Sequence, residues 1–296
     1  MRGTFPLLIG LCLITTLPVL AQSRQPRPAA RTAPPAEPKP SDPEPPANTL
    51  STAAHIDYQL YVHGLRIGRL ESALNIHDGR YHIEVAFRTF GLVGMLFQGH
   101  QLSVADGRLG RQEPEPARFV GDGFWRGESR QTLIDYVGGQ PVVRTLEPPN
   151  DDERETIPPA LQANTIDTLS SMVLLIDQVA KTGRCDSKVR TFDGRRVVDF
   201  NARTVGQEPV EATRRSTFNG PALRCDFEGK VLAGFRRDDS AKDRAKPKHG
   251  TAWFASVLPG APLLPVRIQF ETTWFGDATM YLTGSGPGAT RDPAAE

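Results

Sequence analysis

The chain is poor in cysteine, carries no surplus of either charge, and has no apolar run beyond its N-terminal stretch long enough to cross a bilayer. Each shortage excludes a class of function. Three cysteines, Cys12, Cys185 and Cys225, are too few and too widely spaced for a zinc ribbon or a C-x-x-C redox motif. With 35 basic and 34 acidic residues there is no basic excess of the kind a nucleic-acid surface needs, so no nucleic acid is expected as a partner. The histidines, His55, His63, His77, His82, His100 and His249, never take the i, i+4 spacing of a helical zinc site. No metal and no cofactor is expected. The nucleophile elbow, the P-loop and the dinucleotide glycine fingerprint are all missing. The chain therefore reads as non-catalytic, with a site assembled from scattered residues such as Asp135, Tyr136 and His82 as the enzymatic alternative.

What is present begins with an export signal. "MRGTFPLLIGLCLITTLPVLAQ" has a positive Arg2, an apolar run from Phe5 to Leu20 broken by Thr15, Thr16 and Pro18, and small residues Val19 and Ala21 at a cleavage site. Residues 1–21 are read as a cleavable signal peptide, which makes the product exported and not integral to the membrane; a retained anchor is the competing reading. Cys12 leaves with the signal. Cys185 and Cys225 then remain as the only thiols in an oxidising compartment, where a lone pair is expected to form a disulfide worth roughly 3–4 kcal/mol.

Residues 22–51 hold nine prolines and almost no large apolar side chain, the composition of a disordered, extended tether. The "GSGPGATRDPAAE" end gives a loose tail over 285–296. One domain is expected between them, over 52–284.

The stretch "LRIGRLESALNIHDGRYHIEVAFRT" can be tested for register. With Asp78-Gly79 as a two-residue turn, Ile76 opposes Tyr81, Leu74 opposes Ile83, Ser72 opposes Val85 and Leu70 opposes Phe87, giving one apolar face. The other face is polar, and its one like-charge pair, Arg69 with Arg88, can be relieved by Glu71. Gly138-Gly139, Asp193-Gly194 and Gly276-Asp277 punctuate similar runs, so up to a dozen antiparallel strands are predicted. The expected fold is mainly β, a curved antiparallel sheet or incomplete barrel of hairpins.

One segment departs from this period. In "NTIDTLSSMVLLIDQVAKTG", Ile166, Leu169, Met172, Val173, Ile176, Val179 and Ala180 recur at helical spacing, with Asn164 or Thr165 available as a cap and Gly183 as a left-handed stop. It predicts an amphipathic helix that covers the open side of the sheet. The charged stretches "NDDERET" and "RRDDSAKDRAKPKHG" read as solvated mobile loops. "FGLVGMLFQGH", residues 90–100, reads as a buried run or a hydrophobic lip at a cavity mouth.

Four strings, "YVHGLRIGRLESALNIHDGRYHIEVAFRTFGLVG", "DTLSSM", "VRTFDGRRVVDF" and "LRCDFEGKVLAGF", together resemble the exported bacterial proteins of the domain of unknown function 3108 family, over roughly residues 55–284. The resemblance implies a largely β protein of the bacterial envelope, located in the periplasm, with no established activity to carry over.

These readings converge on a periplasmic binding or carrier module for an apolar ligand, a lipid or acyl chain, in envelope maintenance. Its expected wall residues are Leu70, Leu74, Ile83, Val85 and Phe87, with Leu92, Met95 and Phe97 at the rim. The alternative is a structural or protein-interaction component of the envelope with a packed core, its partner another envelope protein. The alternation itself favours neither, because a core and a cavity wall are both apolar.

Overall fold

The structure, a computed structural model, describes residues 52–288 apart from 92–93, 95–97, 126, 241–243, 245 and 273–275. The segments expected to be a signal peptide and a tether, residues 1–51, lie outside the described residues.

The strands are β1 (Thr52–Val62), β2 (Leu65–His77), β3 (Arg80–Thr89), β4 (Gly99–Leu109), β5 (Pro114–Trp125), β6 (Glu128–Val137) and β7 (Gln140–Glu147), then β8 (Ser187–Phe192), β9 (Val197–Val210), β10 (Gly220–Ala233), β11 (Lys248–Ala255), β12 (Leu264–Glu271) and β13 (Asp277–Pro287). Helices α1 (Asn150–Glu153), α2 (Pro159–Gln162) and α3 (Thr168–Thr182) fall between β7 and β8. All thirteen strands form one antiparallel sheet in the order β7-β6-β5-β4-β3-β2-β1-β13-β12-β11-β10-β9-β8. Apart from β7 and β8, each strand pairs with its neighbour in sequence, and the first and last strands, β1 and β13, pair with each other. The sheet is curved and open, with β7 and β8 as its edges.

The expected hairpin register is observed: Ile76 opposes Tyr81, Leu74 opposes Ile83, Ser72 opposes Val85 and Leu70 opposes Phe87. Asp78 and Gly79 both have positive φ, 50° and 69°, as a primed two-residue turn requires. On the polar face Arg69 Nε lies 3.0 Å from Glu71 Oε1, which offsets its confrontation with Arg88. Following the register outward gives one row across six strands, Ala54–Leu74–Ile83–Ala105–Phe119–Ile134, each member at most 7% exposed. Two of the six are alanines, and the small Ala105 of β4 leaves room on the inner face for α3, which packs against β3, β4, β5 and β8.

On the outer face, Arg224, Trp253, Arg267 and Tyr281 stand opposite one another on four successive strands. The Arg267 guanidinium lies 5.7 Å from the Trp253 ring and 5.4 Å from the Tyr281 ring, near enough for cation–π attraction. Trp253 is thereby buried on the side of the sheet away from α3.

Side chains, not a strand ladder, join the two edges. Arg195, in the β8–β9 turn, donates from Nη2 to Glu147 O at 2.6 Å and from Nη1 to Pro148 O at 3.0 Å. Asn150 Nδ2 donates to Gly194 O at 3.0 Å. At the other end of the seam, Ile166 forms a parallel bridge to Thr191 of β8, and Asn164 exchanges hydrogen bonds with the Gln140 side chain at the start of β7.

Two boundaries and one pair of loops differ from the sequence expectation. The helix cap is Asp167, whose Oδ1 accepts from Ser170 N at 2.8 Å, because Asn164 adopts a positive φ of 57° and Ile166 is held extended against β8. Gly183 ends α3 with φ 66°, as expected. β13 runs to Pro287, past the boundary at 284, because Ser285, Gly286 and Pro287 pair with Ile56, His55 and Ala54. The two charged stretches are paired with each other through an Arg154–Arg236 bridge, and a separate Arg130–Glu153 ion pair fastens the first of them to β6. Cys185 and Cys225 form a disulfide with Cα atoms 6.2 Å apart. It ties the segment entering β8 to β10.

Candidate apolar ligand cavity

α3 presents two apolar faces to two halves of the sheet, and the halves receive it differently. Toward β1–β6 the contact is solid: Leu74 is 2% exposed, Ile83 1% and Val173 0%. Toward β9–β12 the same period-2 alternation places Val198 and Phe200, then Phe227 and Val231, on the inner face, yet all four are only partly buried. Between them and the helix lies a cavity of about 360 Å³, within the size range of small-molecule sites. Met172, Leu175 and Ile176 form its helical wall, and Val198, Phe200, Phe227, Val231, Phe254 and Ile268 its sheet wall.

Local sequence shapes those walls. Phe227 stands directly opposite Gly250 and lies across it, where a Cβ would collide with the ring. The missing side chain lets the aromatic lie along the sheet surface. Phe200 and Phe227 pack at 5.6 Å between ring centres, tilted by 31°. Charged groups occur at one end only, as Asp193, Arg196 and Lys248, with Arg196 Nε 3.0 Å from Asp193 Oδ2.

Buried polar groups hold the helix in place beside the cavity. Asp167 is fully buried; its Oδ2 accepts from Ser170 Oγ at 2.5 Å, and Ser170 Oγ is 2.6 Å from the Tyr81 hydroxyl. Burial raises the Asp167 carboxyl above its ordinary value, opposed in part by its bonds from Ser170. Burial likewise raises the Tyr58 and Tyr81 hydroxyls; Tyr58 donates to Pro265 O at 2.7 Å.

The residues expected to line a ligand site are dispersed. Leu74 and Ile83 are in the packed core, and Leu70 and Val85 pack against it from partly buried positions. Phe87 lines an open depression of about 930 Å³ together with Phe90, Leu102 and Phe124. Leu92, Met95 and Phe97 lie outside the described residues. None of the five described ones is among the lining of the 360 Å³ cavity. Of the scattered polar residues, Asp135 is held by Arg118 at 2.8 Å and Arg144 at 3.0 Å, and His82 by Asp106 at 2.7 Å. Tyr136 reaches a larger cleft of about 1090 Å³ whose other walls include polar residues near the ends of β3, β4 and β5, such as Arg80, Asp106, Arg108 and Glu115. Within it Arg108 pairs with Glu115 at 3.0 Å.

Fold and cavity together define an incomplete antiparallel β-barrel with a helix seated inside its curve. The chain belongs to the family described as "Protein of unknown function (DUF3108)", whose model matches residues 57–283. No curated protein matches the sequence. Among solved structures, the chain is similar to a β-barrel-like protein of domain of unknown function DUF1849 from Brucella abortus, at 14% identity and a TM-score of 0.50, over 81% of this chain and 99% of that one. It is also matched, at 7% identity and a TM-score of 0.28, over 82% of this chain and 88% of the other, by a domain described as an outer membrane lipoprotein-sorting protein from Vibrio parahaemolyticus. The first likeness supports the barrel-like fold. Among the described residues no helix is long and apolar enough to cross a membrane.

Proposed function

We propose that the protein is a non-catalytic carrier that holds an apolar chain between α3 and strands β9–β12. The observation that carries this reading is the half-buried state of Phe200, Phe227, Val198 and Val231 around a cavity beneath α3, in contrast to the closed Ala54–Ile134 row. A packed-core protein gains nothing from leaving such a face unfilled, since each void forfeits dispersion contacts. The leader at 1–21 and the Cys185–Cys225 bridge support export to an oxidising compartment, the periplasm, where lipids and acyl chains need protein shelter from water. The rival, an envelope interaction component, draws support from the fully packed β1–β6 row.

Native mass spectrometry of the full chain, expressed with its own leader and purified from a periplasmic extract, tests the proposal. The expected result is a non-covalent mass of lipid size, lost on denaturation. Met172→Trp, which fills the cavity from the helix, should abolish that mass and also the uptake of added dodecanol while leaving the melting temperature close to wild type. Ile268→Phe, from the sheet side, should do the same. A bare native mass together with no uptake of dodecanol overturns the carrier reading.

A further inference from the structure

The apolar cavity adjoins a smaller cleft of about 290 Å³; Arg196, Gly229, Val231 and Lys248 are walls of both. Six cationic side chains line the smaller cleft, Arg154, Arg196, Arg236, Arg244, Lys246 and Lys248, against one carboxylate, Asp239. They come from three separate parts of the chain. What assembles them is the pairing of the two charged stretches: Glu155 N donates to Phe235 O at 2.9 Å and Arg237 N to Glu153 O at 3.1 Å, on either side of the Arg154–Arg236 bridge.

Part of this charge is answered locally. Arg196 meets Asp193 at 3.0 Å, Arg236 meets Asp238 at 2.9 Å, and Arg244 meets Glu155 at 2.5 Å. Lys246 and Lys248 have no ion-pair partner among the described residues. Arg154 donates from Nη1 to Gly234 O at 2.8 Å, while its Nε is buried with no acceptor. Burial first, then repulsion from Arg196 and Arg236, lowers the Arg154 guanidinium below its usual range, and Asp193 and Glu153 offset this only in part. A surplus of cations around a concave cleft favours an oxyanion, which can accept several charge-assisted hydrogen bonds at once.

We propose that this cleft holds the anionic head of a single-chain amphiphile whose tail lies in the apolar cavity, an inference that rests on the carrier reading of that cavity. The tail is one chain: at the ~30 Å³ that one water-sized group occupies in a liquid, a cavity of about 360 Å³ has room for roughly a dozen such groups. At the junction, Gly229 presents no side chain between tail and head. A neutral head offers no charge to Lys246 and Lys248, and a cationic head is repelled by them.

Calorimetric titration of the full chain with dodecyl phosphate, dodecanol, dodecyltrimethylammonium and inorganic phosphate separates the alternatives. Dodecyl phosphate should bind at least about tenfold more tightly than dodecanol, the minimum expected of one charge-assisted contact. That preference should shrink as salt is raised. The double variant Arg154→Gln, Lys246→Glu, at two residues that line the smaller cleft and not the apolar cavity, checked for folding by circular dichroism, should keep dodecanol binding and lose the preference for the phosphate head. Equal affinities for the phosphate and the alcohol, or a preference that survives the double variant, overturn the headgroup assignment and leave the carrier reading standing. Inorganic phosphate binding as tightly as dodecyl phosphate also overturns it, because the cleft is then a free-anion site. Failure of every dodecyl compound to bind removes the carrier reading and the headgroup with it.

Discussion

The Tyr81 hydroxyl lies 2.6 Å from Ser170 Oγ, joining the second residue of β3 to the first turn of α3 across the interior of the curved sheet. Ser170 in turn donates to the buried Asp167 cap, so a single chain of hydrogen bonds sets the helix start against the sheet. Tyr81→Phe removes one link and leaves Ser170 bonded to Asp167. The expected cost is about 1 kcal/mol, the typical net worth of one buried hydrogen bond, read as a lower urea midpoint at unchanged slope.

Asp167 makes stability depend on pH in a definite direction. Its folded-state pKa is raised above the ordinary 3.8, chiefly by burial. Above that ordinary value the unfolded chain gives up the proton while the folded state still holds it, so the folded state binds more protons and stability falls as pH rises. The loss ends once pH passes the folded pKa. Asp167→Asn keeps an equally good cap and cannot ionise. Denaturation curves across the acid range should therefore show the variant gaining on wild type as pH climbs from below 3.8 toward neutrality. A constant difference at every pH would show that the carboxylate costs the fold nothing.

Arg195 replaces the missing strand ladder between the two sheet edges, with donor bonds to Glu147 O and Pro148 O. Burial lowers its guanidinium, as it does for Arg154. Arg195→Ala leaves those two carbonyls to water or to nothing, and should cost roughly 1–3 kcal/mol. Amide exchange should quicken first in β7, the edge strand that the seam holds, while the Ala54–Ile134 row keeps its protection.

Leu74 distinguishes the packed half of the sheet from the hollow half. At 2% exposure inside the Ala54–Ile134 row, Leu74→Ala should lower stability by about 2–5 kcal/mol in a denaturant titration. Phe200→Ala, at a wall that is already partly open, should cost less than a core phenylalanine does and should weaken dodecanol binding more than Leu74→Ala does. Equal stability losses at the two sites would mean that the β9–β12 face is packed as tightly as the other.

Much of this protein was decided by local chemistry that a sequence displays. Asp78-Gly79 dictates a primed turn because only residues tolerant of positive φ fit it, and one turn then sets every pair from Ile76–Tyr81 to Leu70–Phe87. The spacing of Leu169, Met172, Val173, Ile176 and Val179 makes a helix for the same local reason, and Gly183 ends it. Cys185 and Cys225, the two cysteines among the described residues, had one intramolecular pairing to make. Tertiary structure decided which apolar face is core and which is cavity wall. Val198–Phe200 and Phe227–Val231 alternate as Leu74 and Ile83 do, and differ from them only in how closely α3 approaches. Long-range contacts set that approach: Tyr81 to Ser170, Ile166 to Thr191, and the small residues that let the helix lie close to β4 and β5. The basic cleft was equally invisible, because Arg154 and Lys248 are distant in sequence and each is flanked by charges that read as a solvated loop. Only the pairing of those two loops turns scattered cations into a site, since attraction for an anion depends on distance between charges and not on their order along the chain.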